Sequence, residues 1–229
     1  MILKRDEGIF IAGNVSPAAG FRTAWTGNSI IPIMQGLRQK LTVSSTSAND
    51  TFTGTGAREV RIEGLDDRLN PVEIVARLNG QAAVELEDVF AHVNYAYVTA
   101  SGSTGYNEGI IHVGVGTVAA GVPATSYEQI AIRDSVAHTV RYVVPTQKRL
   151  YIKRIGMSRL SDKSFLVDVK KYYNGVWQIL DSFAFHIGDT PAIYDTPIVI
   201  FSGEVFAVEI SSDKGTGEQV YVKVFGEEK

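Results

Sequence analysis

The feature that most constrains this chain is a polarity period of two. In Arg58-Glu59-Val60-Arg61-Ile62-Glu63 apolar and polar residues alternate, and the same beat resumes in Val72-Glu73-Ile74-Val75-Ala76-Arg77-Leu78. Successive side chains of an extended strand leave opposite faces, so Val60 and Ile62 are expected to face a core while Glu59, Arg61 and Glu63 face water. Between the two runs, Asp66, Asp67, Asn70 and Pro71 supply turn chemistry. Asn79-Gly80 follows the second run and is the strongest local hairpin signal, because both residues tolerate the positive backbone angles of a tight turn. A second such dipeptide, Asn174-Gly175, joins Phe165–Tyr173 to Val176–Phe185, which are expected to pair with cross-strand aromatic and β-branched contacts.

Further strands are expected at about 82–90, 92–99, 110–115, 138–144, 149–158, 164–173, 176–185, 198–201, 204–211 and 219–225. Glycine-rich stretches at Gly102–Gly109, Gly114–Gly121, Gly188–Pro191 and Gly215–Gly217 read as loops between them. Only Ser126–Ser135 suggests one or two helical turns. Many short strands without long alternating helices imply an all-β fold, an antiparallel β-sandwich of jelly-roll type. Residues 1–50 break the pattern and read as an irregular N-terminal arm ahead of a sandwich domain at 51–229. Trp25 and the cluster Ile30-Ile31-Pro32-Ile33-Met34 give that arm apolar content. Docking on a neighbouring subunit and supplying edge strands to its own sandwich both account for it.

The chain has 229 residues, enough to bury a self-supporting core. It has no cysteine, which excludes disulfides, thiolate metal sites and thiol nucleophiles. A formal charge of -3 gives no overall attraction to nucleic acid. The apolar run Gly8–Ala12 is too short to span a membrane, and Asp6 and Glu7 interrupt the approach to a secretion signal, so ordinary export is not expected.

Chemistry-bearing motifs are sparse. His92, His112, His138 and His186 fall on separate expected strands, with no HExxH pattern, so no metal site is expected. Glu85, Glu87 and Asp88 crowd one strand, and Asp66, Asp67 and Asn70 share a turn that Asx hydrogen bonding explains without calcium. There is no phosphate-binding Gly-Lys-Ser/Thr loop and no G-x-S-x-G elbow, and Gly114-Val115-Gly116 matches a dinucleotide fingerprint only in its first glycines. Arg149, Tyr151 and Lys153 could share a basic strand face, which reads equally as a solvated sheet face. No catalytic residue, cofactor or metal ligand is assigned, and the chain is not expected to be an enzyme.

The run Thr53-Gly54-Thr55-Gly56-Ala57-Arg58-Glu59-Val60-Arg61-Ile62-Glu63-Gly64-Leu65-Asp66, followed by Asn70–Gly80 ending in Leu78-Asn79-Gly80, resembles a segment of tailed-bacteriophage virion structural proteins. In that family a "G-x-G-A-R-x-V-x-I-x-G-L-D" strand precedes a second one ending in "L-N-G". Gly105-Tyr106-Asn107-Glu108-Gly109-Ile110-Ile111 continues the likeness, and Tyr142-Val143-Val144-Pro145-Thr146-Gln147-Lys148 is similar to the family's "Y-T-V-P-A-G-K", with Thr146-Gln147 in place of Ala-Gly. The likeness covers residues 50–160 well and 160–225 loosely.

This resemblance implies a homo-oligomeric decoration, neck, head-fibre or baseplate-associated component, made in the bacterial host cytoplasm and carried in the virion. Its implied partners are major capsid, portal-neck or fibre subunits, with no cofactor, specific nucleic acid or membrane. The expected assembly loops contain Gly102, Tyr106 and Asn107, then Gly114, Gly116 and Pro123, with Asp189–Thr196 as a further contact element; Asp66, Asn79, Gly80, Asn174 and Gly175 are expected to be structural turns. The alternative is receptor or glycan binding through Tyr95, Tyr97, Tyr106, Tyr172 and Tyr173. A hydrolase of an envelope polymer is a third class.

Overall fold

A computed structural model describes residues 2–5, 8–15, 22–25, 38–159, 164–186, 191–211 and 220–229, and the structural statements below concern those residues. The chain is all-β, with antiparallel pairing throughout and no helix among the described residues. It divides into two compact units, Met1–Ile31 with His138–Lys229 and Pro32–Ala137, so the second is inserted into the sequence of the first.

The N-terminal strands of the first unit are β1 (Ile2–Arg5), β2 (Gly8–Val15) and β3 (Arg22–Thr23). The second unit contributes β4 (Gln39–Ser45), β5 (Ala57–Leu65), β6 (Pro71–Arg77), β7 (Val84–Phe90), β8 (His92–Ser101), β9 (Ile111–Ala119) and β10 (Val122–Ile130). The chain then returns to the first unit with β11 (Arg141–Val143), β12 (Arg149–Arg159), β13 (Phe165–Tyr173), β14 (Val176–Phe185), β15 (Ala192–Phe201), β16 (Val205–Ser211) and β17 (Val220–Glu228).

In the second unit the sheets β10-β9-β4-β7 and β6-β5-β8 share one core. Its centre is Leu41, Val43, Val60, Ile62, Phe90 and Ile111, each fully buried. The alternation in β5 works as its sequence implies. Val60 and Ile62 turn inward, each contributing roughly 1.5–3 kcal/mol of apolar transfer. Arg61 turns outward, donating to Glu63 at 3.1 Å and pairing with Glu73 on β6. The β5–β6 connection is the Asp66 turn, where Oδ1 accepts the backbone N–H groups of Arg68 and Asn70, both at 2.8 Å. Asx hydrogen bonding therefore accounts for Asp66 and Asn70.

The first unit pairs β1-β2-β17-β12-β15 with β11-β16-β13-β14, and β3 extends from β16. Both sheets fill one core around Ile11, Tyr142, Ile152, Phe165, Phe206 and Val222. The Asn174-Gly175 turn joins β13 to β14, with both residues at positive φ and Tyr173 opposite Val176. The expected aromatic cross-strand contact is Tyr172 with Trp177, ring centroids 5.3 Å apart.

Several expectations are corrected. The described strands form four sheets in two pairs, where a jelly roll closes eight strands into one pair. An edge at residue 50 falls inside the second unit, and β1 to β4 place strands from residues 1–50 in the chain's own sheets, the second of the two readings of the arm. β2 pairs β17 over eight residue positions, and β4 lies between β9 and β7. The Ile30–Met34 cluster and Gly215–Gly217 lie outside the described residues. Asn79-Gly80 is a turn but not a hairpin, because β6 pairs only with β5 and β7 pairs with β4 in the other sheet. Gly114–Ala124 is not a loop. Gly114 and Gly116 sit within β9, Pro123 sits within β10, and only Ala120-Gly121 turns between Ala119 and Val122. Ser126–Ser135 likewise holds no helix: Ser126–Ile130 belongs to β10, and Ile132–Asp134 form a turn. Two register shifts in β10, between Pro123 and Thr125 and between Ser126 and Glu128, erase the period of two and leave a pattern without strand periodicity.

Gly80 has φ +62, its N–H donates to Asp50 O at 2.8 Å, and an added Cβ would lie 3.1 Å from Ala48 O. Gly80→Val is expected to lower stability by about 1–3 kcal/mol through backbone strain and crowding. An unchanged urea midpoint would show that the turn does not need a residue without Cβ.

Candidate functional site

The end of the second unit where β4, β5, β8 and β9 meet their loops carries the densest polar organisation among the described residues. Its centre is Asp50, a fully buried carboxylate. Oδ1 accepts the N–H groups of Ala57 at 2.8 Å and Glu108 at 2.9 Å. Oδ2 accepts the Ser45 hydroxyl at 2.6 Å and the Gly109 N–H at 2.8 Å. One side chain thus ties the 46–56 loop to β4, β5 and the glycine-rich 102–109 loop. Four donors match the four lone-pair directions of a carboxylate, which leaves Asp50 a fastener with no position open for a metal or a transferred proton.

The glycine-rich loop is secured along its length. Gly102 N–H donates to Gly56 O at 2.7 Å, and Thr104 donates from its hydroxyl to Thr55 O at 2.8 Å. Asn107 is fully buried, and its amide donates to Gly109 O and Ala131 O, both at 2.7 Å, while its Oδ1 accepts Ser135 N–H at 3.0 Å. Glu108 accepts the Thr55 hydroxyl at 2.5 Å and the Asn49 amide at 2.7 Å, and these two donors hold its carboxyl below the ordinary carboxylate value. Tyr106 lies partly exposed beneath the Arg133 guanidinium, 5.1 Å from its ring centroid. The loop therefore displays Tyr106 from a fixed backbone.

The remaining candidates do not converge. His92 lies in β8 and His112 in β9, strands of different sheets that do not pair. Among the described residues no group of three or more histidine, aspartate and glutamate side chains is placed to hold a metal ion. Glu85 pairs with Lys40 at 3.0 Å. On the β12 face, Arg149 stacks over Phe201 at 5.3 Å and Lys153 pairs with Glu227, which also receives Lys229 at 3.0 Å. Carboxylate thus balances the lysine charge of that face. Tyr95 and Tyr97 stack 5.3 Å apart in the second unit, and burial leaves Tyr95 only 9% exposed and pushes its phenol upward. Tyr172 and Tyr173 belong to the first unit, so the five tyrosines form no single platform within either unit.

Two arrangements had little sequence signal. Asp50 sits among small polar residues, where nothing distinguishes a buried four-donor hub from a solvated loop aspartate. In the first unit, Lys170 lies between Glu209 at 2.5 Å and Asp168 at 3.9 Å, with Ser182 donating to Asp168 at 2.7 Å. Both carboxylates are buried, and register alone brings them together, since Asp168 faces Glu209 across β13 and β16.

Asp50→Ala is expected to cost about 3–5 kcal/mol, because three backbone N–H groups and one hydroxyl lose their acceptor together. Hydrogen exchange should accelerate most at the Ala57, Glu108 and Gly109 amides; unchanged protection there would remove the hub. A pH dependence follows from His112, which is 4% exposed, bonds Ser126 Oγ through Nδ1 at 2.9 Å and has no partner for Nε2. Burial lowers its pKa to about 4 from 6.5. The folded state then resists protonation, so this stability is complete above the unfolded value, falls as pH drops through the interval between the two values, and levels off below the folded one. The loss should approach roughly 3 kcal/mol, and urea midpoints for His112→Gln should lack it. In comparisons with known proteins, no family model matches the chain and no curated protein is similar enough to count as a relative.

Proposed function

We propose that this chain is a non-enzymatic structural component of a tailed-phage particle, joining its neighbours through subunit contacts as a decoration, neck or fibre-base protein. Two things support the reading: the resemblance carried by Thr53–Gly80 and Tyr142–Ile152, and the antiparallel all-β architecture. The observation that carries it furthest is the Asp50 hub. Fixing the 102–109 loop before contact removes part of the ordering cost of association, which suits a surface that works by repeated geometric fit. In this reading each unit serves as a β-sandwich module, the loop end of the second unit meets capsid, portal-neck, fibre or like subunits, and the protein resides in the virion after synthesis in the host cytoplasm.

Receptor or glycan binding through the five tyrosines has no comparable support, since Tyr95 is buried and the set is split between the units. Mass spectrometry and cryo-microscopy of purified particles test the proposal. The chain should be present in a fixed copy number with the Tyr106 loop at a subunit contact. Tyr106→Asp, folded normally by circular dichroism and urea unfolding, should lower incorporation at least about tenfold. Absence from particles would overturn the virion reading, and full incorporation of the variant would overturn the role of the loop.

A further inference from the structure

A second feature of the same unit points to a ligand. An open groove of about 460 Å³ is lined by Phe52, Thr53, Arg58, Glu59, Ala100 and Ser101. This volume lies within the range of small-ligand sites and has room for roughly one or two pyranose rings. Its walls are held by backbone bonds. Phe52 N–H donates to Leu78 O at 2.9 Å, Gly54 N–H to Thr51 O at 2.9 Å, and Gly102 N–H to Gly56 O at 2.7 Å.

Arg58 owes its position to a break in the ladder. Ala57 pairs with Ser101 and Glu59 with Ala100, so Arg58 is an inserted residue with no partner opposite. A bulge of this kind re-aims a side chain at a sheet edge or binding site. The Arg58 Nε–H donates to Gly54 O at 3.0 Å, which anchors one edge of the guanidinium, and Arg58 forms no ion pair among the described residues. Glu59 differs, because Arg77 pairs with it at 3.4 Å. Arg77 also covers the Phe52 ring at 4.1 Å, and Phe52 remains 44% exposed. The groove therefore joins one preorganised aromatic, one unbalanced guanidinium and the hydroxyls of Thr53 and Ser101.

From this combination we infer that the Phe52–Arg58 groove binds an acidic saccharide, a pyranose carrying a carboxylate. The C–H face of a sugar ring packs on the part of the Phe52 ring that Arg77 leaves exposed, its hydroxyls pair with Glu59, Thr53 and Ser101, and the carboxylate takes the terminal N–H groups of Arg58, whose planar fork matches it. A purely apolar ligand would find the Phe52 ring and Ala100 but would leave Arg58, Glu59, Thr53 and Ser101 without partners. A neutral sugar would leave the Arg58 charge unanswered. The inference does not rest on the virion reading, and uses none of the five tyrosines considered for glycan binding.

The test is an amide-resolved NMR titration of the full chain with digalacturonic acid, the neutral disaccharide galactobiose and acetate as separate probes. Digalacturonic acid should saturate at millimolar concentration, with shifts confined to residues 52–59 and 100–102, and galactobiose should bind at least about fivefold more weakly. Arg58→Gln should weaken digalacturonic acid at least about tenfold, with Arg58→Lys intermediate. Phe52→Ala supplies an independent variant if Arg58→Gln unfolds, and it should also weaken binding severalfold. No localised shift at about 20 mM, equal binding of galactobiose, reproduction of the shifts by acetate alone, or unchanged affinity in the folded variants would each overturn the inference.

Discussion

A strand that alternates in polarity can bury only one of its two faces, so no sheet of this chain is stable by itself. The constraint accounts for the architecture: each unit brings two sheets to one core. In the second unit β5 supplies Val60 and Ile62 from one sheet, while Leu41 and Val43 of β4 and Ile111 of β9 come from the other. In the first unit Phe165 and Val167 of β13 meet Ile152 of β12 and Val222 of β17 in the same way. There the constraint reaches across the sequence, because β2 must be brought to β17 before that sheet is complete. Ordering so long an intervening chain has an entropic cost that grows only slowly with its length, which makes an inserted unit of this size tolerable.

Strand existence was legible, but strand partnership was much less so. Period two tells which side chains share a face and nothing about the neighbour across the ladder. The Asn174-Gly175 hairpin was readable because its turn and its partner strands are contiguous. Asn79-Gly80 carries the same local chemistry, yet β7 leaves for the other sheet, where β4 offers Val43 opposite Val84. Glycine was misread in the opposite direction at Gly114 and Gly116. Each approaches a neighbouring strand closely, so the lack of a side chain serves packing inside a sheet where it had suggested a loop. In β10 the period itself is interrupted by register shifts, and a pattern detector has nothing to follow.

The loop end was legible as a location and opaque in mechanism. Tyr106 and Asn107 stood out because glycine-rich loops on β scaffolds are where contacts are placed. Asp50 did not, since its donors come from positions 45, 57, 108 and 109, and no local spacing encodes their convergence. Arg58 has the parity of Val60 and Ile62, so strict alternation would turn it toward the core, and period two carries no sign of a displaced residue. Only the slip between Ala57–Ser101 and Glu59–Ala100 distinguishes it.

Two buried charged groups of this molecule, one in each unit, follow the same rule. Asp50 meets four donors, and Lys170 bridges Asp168 and Glu209 with Ser182 completing the set. Such groups are costly to bury alone and tolerable only when their partners are fixed, so they pin loops and strands in one arrangement. A group that performs chemistry or binds an ion needs the opposite condition, a valence left open toward a ligand. Arg58 meets that condition at the mouth of a groove, with one edge anchored and its terminal donors outside any ion pair among the described residues. Within the second unit the satisfied Asp50 fixes the Ala57 N–H, next in sequence to Arg58, so its rigidity bears directly on where that guanidinium is held.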